Sequence, residues 1–212
     1  MSTSVVIIDD HPLLRRGVTQ LLALDPDLEA VGEASDGDEG LRLAQELRPD
    51  LILLDLNMQG MTGVETLKAM RSRGIKACVV VLTVSDSDDD ITASLRAGAN
   101  GYLLKDMEPE ALVTQLRRAA AGEVVISEGL TSSLARALTR DHGAAAAGLD
   151  SLTAREREIL RHLARGESNK AIARSLDITE GTTKVHVKNL LKKMSFRSRV
   201  EAAVWAVQNG LG

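Results

Sequence analysis

Aromatic side chains are almost absent from this 212-residue chain, which holds one Tyr, one Phe and one Trp. Its cores must therefore be aliphatic, drawn from Leu, Val, Ile and Ala within an apolar share of 44%. A single cysteine, Cys78, excludes an intramolecular disulfide and suits a reducing setting, so the expected location is the cytoplasm. No apolar stretch approaches the roughly 20 residues needed to cross a bilayer, and no membrane contact is expected. The apolar run at the N-terminus stops at Asp9 and Asp10, which excludes a signal-peptide pattern. Internal repeats are also lacking, and the alanine tract 144–147 is the only low-complexity segment.

What is present is divided unevenly. Residues 1–140 carry 14 Lys/Arg against 22 Asp/Glu, a net of −8, whereas 141–212 carry 12 against 8, a net of +4. Within 181–200 there are six basic residues and no acidic one. The basic part suits a polyanion.

Up to about residue 125 the apolar pattern alternates between two periods. Short continuous apolar runs at 5–9, 28–32, 51–55, 78–83 and 101–104 alternate with helical spacings at 14–22, 40–47, 64–70, 91–97 and 109–121. Unbroken apolar strands are buried on both faces, which means a parallel sheet between helices. Right-handed crossovers then give a doubly wound, flavodoxin-like α/β domain of five parallel strands. Residues 130–138 suit one more helix, and the small-residue tract 141–148 reads as a linker. From 151 the pattern is helical only. Thr153 with Glu156 forms a capping box, Gly166 closes that helix, Ser168 caps a second, Thr179 starts a third to about Met194, and a fourth spans 199–207. In that last helix Val200, Ala203, Val204 and Val207 should face inward. The expected division is 1–125, a linker region 126–150, and an all-α four-helix domain 151–212.

Ligands of open parallel sheets bind beyond the carboxyl ends of the strands. Here those ends carry Asp9 and Asp10, Asp55, Thr83 and Lys105. Converging carboxylates repel, and burial raises their pKa unless a cation neutralises them. A hard divalent cation such as Mg²⁺, with oxygen ligands and room for a phosphate oxygen, meets that need. Lys105 and the Thr83 hydroxyl could both serve a phosphoryl group, which makes a carboxylate phosphoryl acceptor plausible.

That ordered set resembles the receiver domain of two-component response regulators over about the first 125 residues. The resemblance implies that Asp55 is the acceptor, that Thr83 and Lys105 assist it, and that Asp10 and Asp55 ligate Mg²⁺ directly. Asp9 would act through water, and the backbone carbonyl of Asn57 would complete the ligands. Tyr102, three residues before Lys105, matches the aromatic switch position that answers movement of Thr83. Two positions depart from the family pattern. Gln59 replaces a usual Pro, which adds an N–H, and the branched Val84 follows Thr83, where it should crowd the phosphoryl site and slow hydrolysis. A hydrolase of the haloacid dehalogenase kind, with Asp55 as nucleophile, would need a second Asp where Asn57 stands, so no enzyme is expected.

In the third helix of the C-terminal part, Val187, Leu190, Leu191 and Met194 share a core-facing stripe, while Lys184, Lys188 and Lys192 share another side with Val185. The lysines suit guanine edges or phosphate, and Val185 a thymine methyl. The helix N-terminus with Thr182 suits a phosphate. The short turn 176–178 joins it to the preceding helix as a helix-turn-helix. Leu152-Thr153-Ala154-Arg155-Glu156-Arg157-Glu158 and Lys184-Val185-His186-Val187-Lys188 resemble the output domain of the LuxR and FixJ groups. The segments 101–110, 190–194 and 198–205 are similar to members of the NarL/FixJ family that answer nitrate and nitrite. The resemblance implies a sensor histidine kinase as partner, double-stranded promoter DNA as target, anaerobic respiration genes, a homodimer on DNA when phosphorylated, and RNA polymerase as a further partner. Phosphorylation would release the C-terminal domain, whose basic helix the N-terminal domain covers at rest. Two further departures lie in that helix: Gly181 weakens its first turn, and the inward Thr183 needs a carbonyl for its hydroxyl.

Overall fold

The computed structural model describes residues 2–84, 88–130, 149–196 and 198–211. The helix expected at 130–138 and the linker tract 141–148 lie almost wholly outside them.

The N-terminal domain is built from β1 (Thr3–Ile8), α1 (Pro12–Ala23), β2 (Leu28–Ala34), α2 (Gly37–Leu47), β3 (Leu51–Leu54), α3 (Gly63–Ser72), β4 (Cys78–Thr83), α4 (Asp88–Arg96), β5 (Gly101–Leu104), α5 (Pro109–Ala120) and β6 (Val125–Ile126). The sheet is parallel throughout, in the order β2-β1-β3-β4-β5-β6. Local chemistry sets the helix starts. Pro occupies the first turn of α1 and of α5, where its missing N–H costs nothing. Asp36 caps α2 by accepting from the Glu39 N–H, and Thr62 with Glu65 closes a reciprocal capping box on α3.

The period-two alternation of β1 sends Val5 and Ile7 to one face and Val6 and Ile8 to the other. The first face packs on Val18, Leu22, Leu112 and Leu116 of α1 and α5, the second on Leu67, Met70, Ile91 and Leu95 of α3 and α4. Strand order reverses between β1 and β3, so the crevice of the doubly wound sheet opens beside the ends of these two strands. At the opposite end the Arg71 guanidinium donates to the carbonyls of Ile75, Ala77 and Gly98 and to Asn100 Oδ1, stapling the loops around β4 and β5.

Five strands are expected from the sequence and six are present. The sixth is two residues long, with Val125 and Ile126 in register with Gly101 and Tyr102. A run that short shows no period of its own, and only an open edge on β5 makes it a strand.

The C-terminal domain has four helices: α6 (Ala154–Ala164), α7 (Asn169–Ser175), α8 (Glu180–Lys193) and α9 (Arg199–Gln208). Thr153, Ser168, Thr179 and Ser198 cap them in turn, each accepting a backbone N–H. The turn between α7 and α8 holds Asp177 at φ 51°, a left-handed position that Asp tolerates. The Phe196 and Trp205 rings meet at 5.7 Å and 52°. One inward expectation fails: Val207 is 51% exposed, whereas Ala202, Trp205 and Ala206 are buried. A single-stripe wheel misreads α9 because α6 and α8 pack on it from different sides.

Gly63, the first residue of α3, lies against the backbone of the loop after β3. A Cβ on it would stand 2.1 Å from the Asp55 carbonyl and 2.7 Å from Leu56 Cα. Gly63→Ala must shift that backbone, at a cost of about 1–3 kcal/mol. A lowered urea midpoint with an unchanged slope is the expected outcome.

Candidate functional site

The strand ends bring Asp9, Asp10 and Asp55 together, with ligand atoms of these three and of His11 within 4.8 Å of one another. Asp9 and Asp55 are buried. Lys105 Nζ lies 2.7 Å from both Asp9 Oδ2 and Asp55 Oδ2. Burial, the largest influence, pushes the Asp55 carboxyl above its ordinary value; Lys105 opposes this and Asp9 adds to it. Burial pulls the Lys105 ammonium down, but the two carboxylates outweigh it and hold it raised.

These four side chains are short of positive charge. Asp9 Oδ2 and Asp10 Oδ1 are buried and have no partner in hydrogen-bond geometry. A divalent cation with oxygen ligands fits such a donor set. The Asn57 N–H donates to Asp55 Oδ1 at 3.3 Å, which keeps the Asn57 peptide beside the carboxylate. Gln59 uses the N–H that a proline would lack to donate to Asp10 Oδ2 at 3.3 Å.

Thr83 is buried at the end of β4, and its carbonyl accepts the Lys105 N–H at 2.9 Å. Tyr102 is wholly buried, its hydroxyl close to Ser94 but outside hydrogen-bond geometry, and burial drives its pKa far above the usual range. Val84, directly after Thr83, is 72% exposed. Its chain leaves the sheet there, so the branched side chain points away from the packed interior.

The sequence reading passed over His11. Its Nδ1 lies 2.8 Å from Asp10 Oδ1 and 3.1 Å from Asp9 Oδ1, and its N–H donates to Asp9 Oδ1 at 2.8 Å. Its place directly after the acid pair was the available signal.

On α8 the two faces separate as expected. Val187, Leu190 and Met194 are buried, and Thr183 is buried with its hydroxyl donating to the Thr179 carbonyl at 3.2 Å. Lys184, Val185, Lys188 and Lys192 are exposed. Lys184 is engaged with Glu180 at 2.8 Å, one turn earlier. The Thr182 N–H already donates to the capping Thr179 hydroxyl at 3.1 Å, so a phosphate there would compete with the cap. The N-terminal domain does not cover this face.

Helix α8 is fixed at its far end by Lys193, whose Nζ reaches the buried Glu156 Oε2 at 2.7 Å and the Ser151 carbonyl at 3.2 Å.

The Response regulator receiver domain model matches residues 5–117, and the Bacterial regulatory proteins, luxR family model matches 150–206. The chain belongs to the two-component response regulators of the NarL/FixJ family. It pairs a receiver with a LuxR-type DNA-binding output domain. Over 205 residues, 97% of this response regulator and 95% of its relative, it is 54% identical to the nitrate/nitrite response regulator protein NarL of Escherichia coli K12. It is 48% identical to the nitrate/nitrite response regulator protein homolog of Haemophilus influenzae over 200 residues, 94% of each chain. Among solved structures, the response regulator ChrA of a heme-sensing two-component system is similar over 100% of this chain and 99% of its own, at 33% identity and a TM-score of 0.54.

Burial by itself would raise the Glu156 carboxyl, but the Lys193 ammonium and the Thr153 N–H and hydroxyl outweigh it and hold it below its ordinary 4.5. A carboxyl held low stabilises the fold above its unfolded pKa and loses that contribution as pH falls through the folded value. The fluorescence of Trp205, the only tryptophan, should report output-domain unfolding at lower urea below pH 4.5. Glu156→Gln should remove part of that acid dependence while lowering stability near neutrality.

Proposed function

We propose that Asp55 accepts a phosphoryl group from the phosphohistidine of a sensor kinase. Its carboxylate oxygen attacks phosphorus, the O–P bond forms as the N–P bond breaks, and the electron pair returns to the imidazole. The observation that carries this is the buried Asp55 carboxylate, held by Lys105 beside Asp9 and Asp10 so that one ammonium meets three gathered carboxylates. Asp10 and Asp55 would hold Mg²⁺ with the Asn57 carbonyl, and Asp9 through water; the ion would neutralise charge on the transferring group. Lys105 turns from the carboxylate to a phosphoryl oxygen, the Thr83 hydroxyl donates to another, and Tyr102 follows the movement of Thr83.

In this reading residues 1–125 are the receiver, 126–150 the linker region and 151–212 the output domain. The output is regulation of transcription in the cytoplasm rather than catalysis, since Asn57 offers no general acid for turnover. Paired output domains bind promoter DNA through Lys184, Val185, Lys188, Lys192 and the α8 N-terminus at Thr182, and RNA polymerase meets them there. The high identity to two proteins named for nitrate and nitrite over almost their whole length supports the same signal and control of anaerobic respiration genes.

With acetyl phosphate and Mg²⁺ as donor, the wild-type chain should take up label and bind duplex DNA more tightly. Asp55→Asn should do neither; an Asp55→Asn chain that responds to the donor as wild type does would sink the proposal. Lys188→Ala should reduce the slope of log affinity against log salt by about 0.9, the value for one phosphate contact. An unchanged slope and affinity would remove Lys188 from the interface.

A further inference from the structure

Asp9 is held through its main chain as well as its carboxylate. Its N–H donates to the Ala34 carbonyl at the end of β2 at 3.1 Å, and its own carbonyl accepts Arg15 Nη1 at 2.5 Å. Helix α1, which follows directly, starts without a side-chain cap: His11 stands at the cap position, and its ring lies against Asp9 and Asp10 instead of the first turn. An uncapped start leaves the turn before it weakly held. Arg15 reaches back from one turn inside the helix and supplies the missing restraint.

The guanidinium that does this is itself anchored. It is 16% exposed, and its Nε lies 3.7 Å from Glu33 Oε2 on β2. Glu33 Oε1 accepts the hydroxyl of Thr19, a further turn along α1, at 2.6 Å. Helix α1 and strand β2 thus hold the fork between them, and the fork holds the Asp9–Asp10 turn. The planar head makes this possible, since it offers donors in two directions at once. Arg16, the next residue, is exposed.

We propose that Arg15 is a positioning residue for the metal site: through the Asp9 carbonyl it fixes the turn that aims the Asp9 and Asp10 carboxylates at the cation. This rests on the phosphoryl-acceptor reading of the pocket and deepens it. Charge and position predict opposite signs. As a positive charge behind the acid cluster, the guanidinium repels a cation, and its removal alone would tighten Mg²⁺ binding. As a restraint it does the reverse, because groups that orient metal ligands typically contribute about 10- to 100-fold in affinity. The restraint dominates.

The test is a Mg²⁺ titration of the full chain without a phosphoryl donor, followed by the amide shifts of Asn57 and Gln59, whose N–H groups lie on Asp55 and Asp10. Phosphate uptake from acetyl phosphate is measured separately, over a range of Mg²⁺ up to saturation. Arg15→Met, which keeps the apolar stem and removes the head, should weaken Mg²⁺ binding about tenfold or more. Its uptake rate should return to the wild-type value at saturating Mg²⁺, which a general loss of receiver structure would not allow. Arg15→Lys keeps the charge but cannot hold Glu33 and the carbonyl together, and should show part of the same loss. Arg16→Ala, which removes a neighbouring surface charge, should bind Mg²⁺ as wild type does. Wild-type or tighter affinity in either Arg15 variant overturns the positioning role, as does a loss that Arg16→Ala reproduces or an uptake rate that stays low at saturating Mg²⁺. A wild-type chain that neither shifts with Mg²⁺ nor takes up phosphate overturns the acceptor reading, and the role of Arg15 with it.

Discussion

Charge balance in one buried pocket governs this molecule. Asp9 and Asp55 are taken out of water, Asp10 sits at their side, and Lys105 reaches two of the three. Each buried ion costs several kcal/mol unless it is paired and hydrogen-bonded. One ammonium cannot serve three carboxylates, and Asp10 is left to His11 and to the Gln59 N–H. Such a site has a standing affinity for added positive charge and responds to any new group that draws Lys105 away. The rest of the receiver supplies the rigidity against which that response acts: a sheet buried on both faces, and a close approach of Gly63 to the Asp55 backbone.

The pocket sits at one end of the sheet and the output domain touches the other. Strands β5 and β6 form a hydrogen-bonded path between the two ends. Tyr102 lies midway, fully buried, with its hydroxyl beside Ser94.

The output domain solves a different problem, which is to hold one helix firmly while leaving a face of it free. Capping by Thr179, the back-bonded Thr183 hydroxyl and the Lys193–Glu156 pair restrain α8 along its length. Gly181 weakens the first turn, and nothing in its surroundings requires a glycine: the nearest atom to an added Cβ is 3.7 Å away.

Much of this was legible in the sequence because it depends on period and on order along the chain. Continuous aliphatic runs ending in Asp9, Asp55 and Thr83 placed those groups at one sheet edge, since parallel strands all end on the same side. Capping residues named three of the four helix starts in the C-terminal domain, and the lysine spacing separated the two faces of α8. Other features were decided only by the folded chain, because they depend on neighbours remote in sequence. Val125–Ile126 is a strand only because β5 has an open edge, and α9 is buried on several sides only because α6 and α8 both pack on it. Lys193 pairs with a capping glutamate 37 residues away, and Thr182 spends its N–H on its own cap. Periodicity tells which side of an element is apolar; which surface meets it, and which polar atoms are left over, are settled by three-dimensional packing.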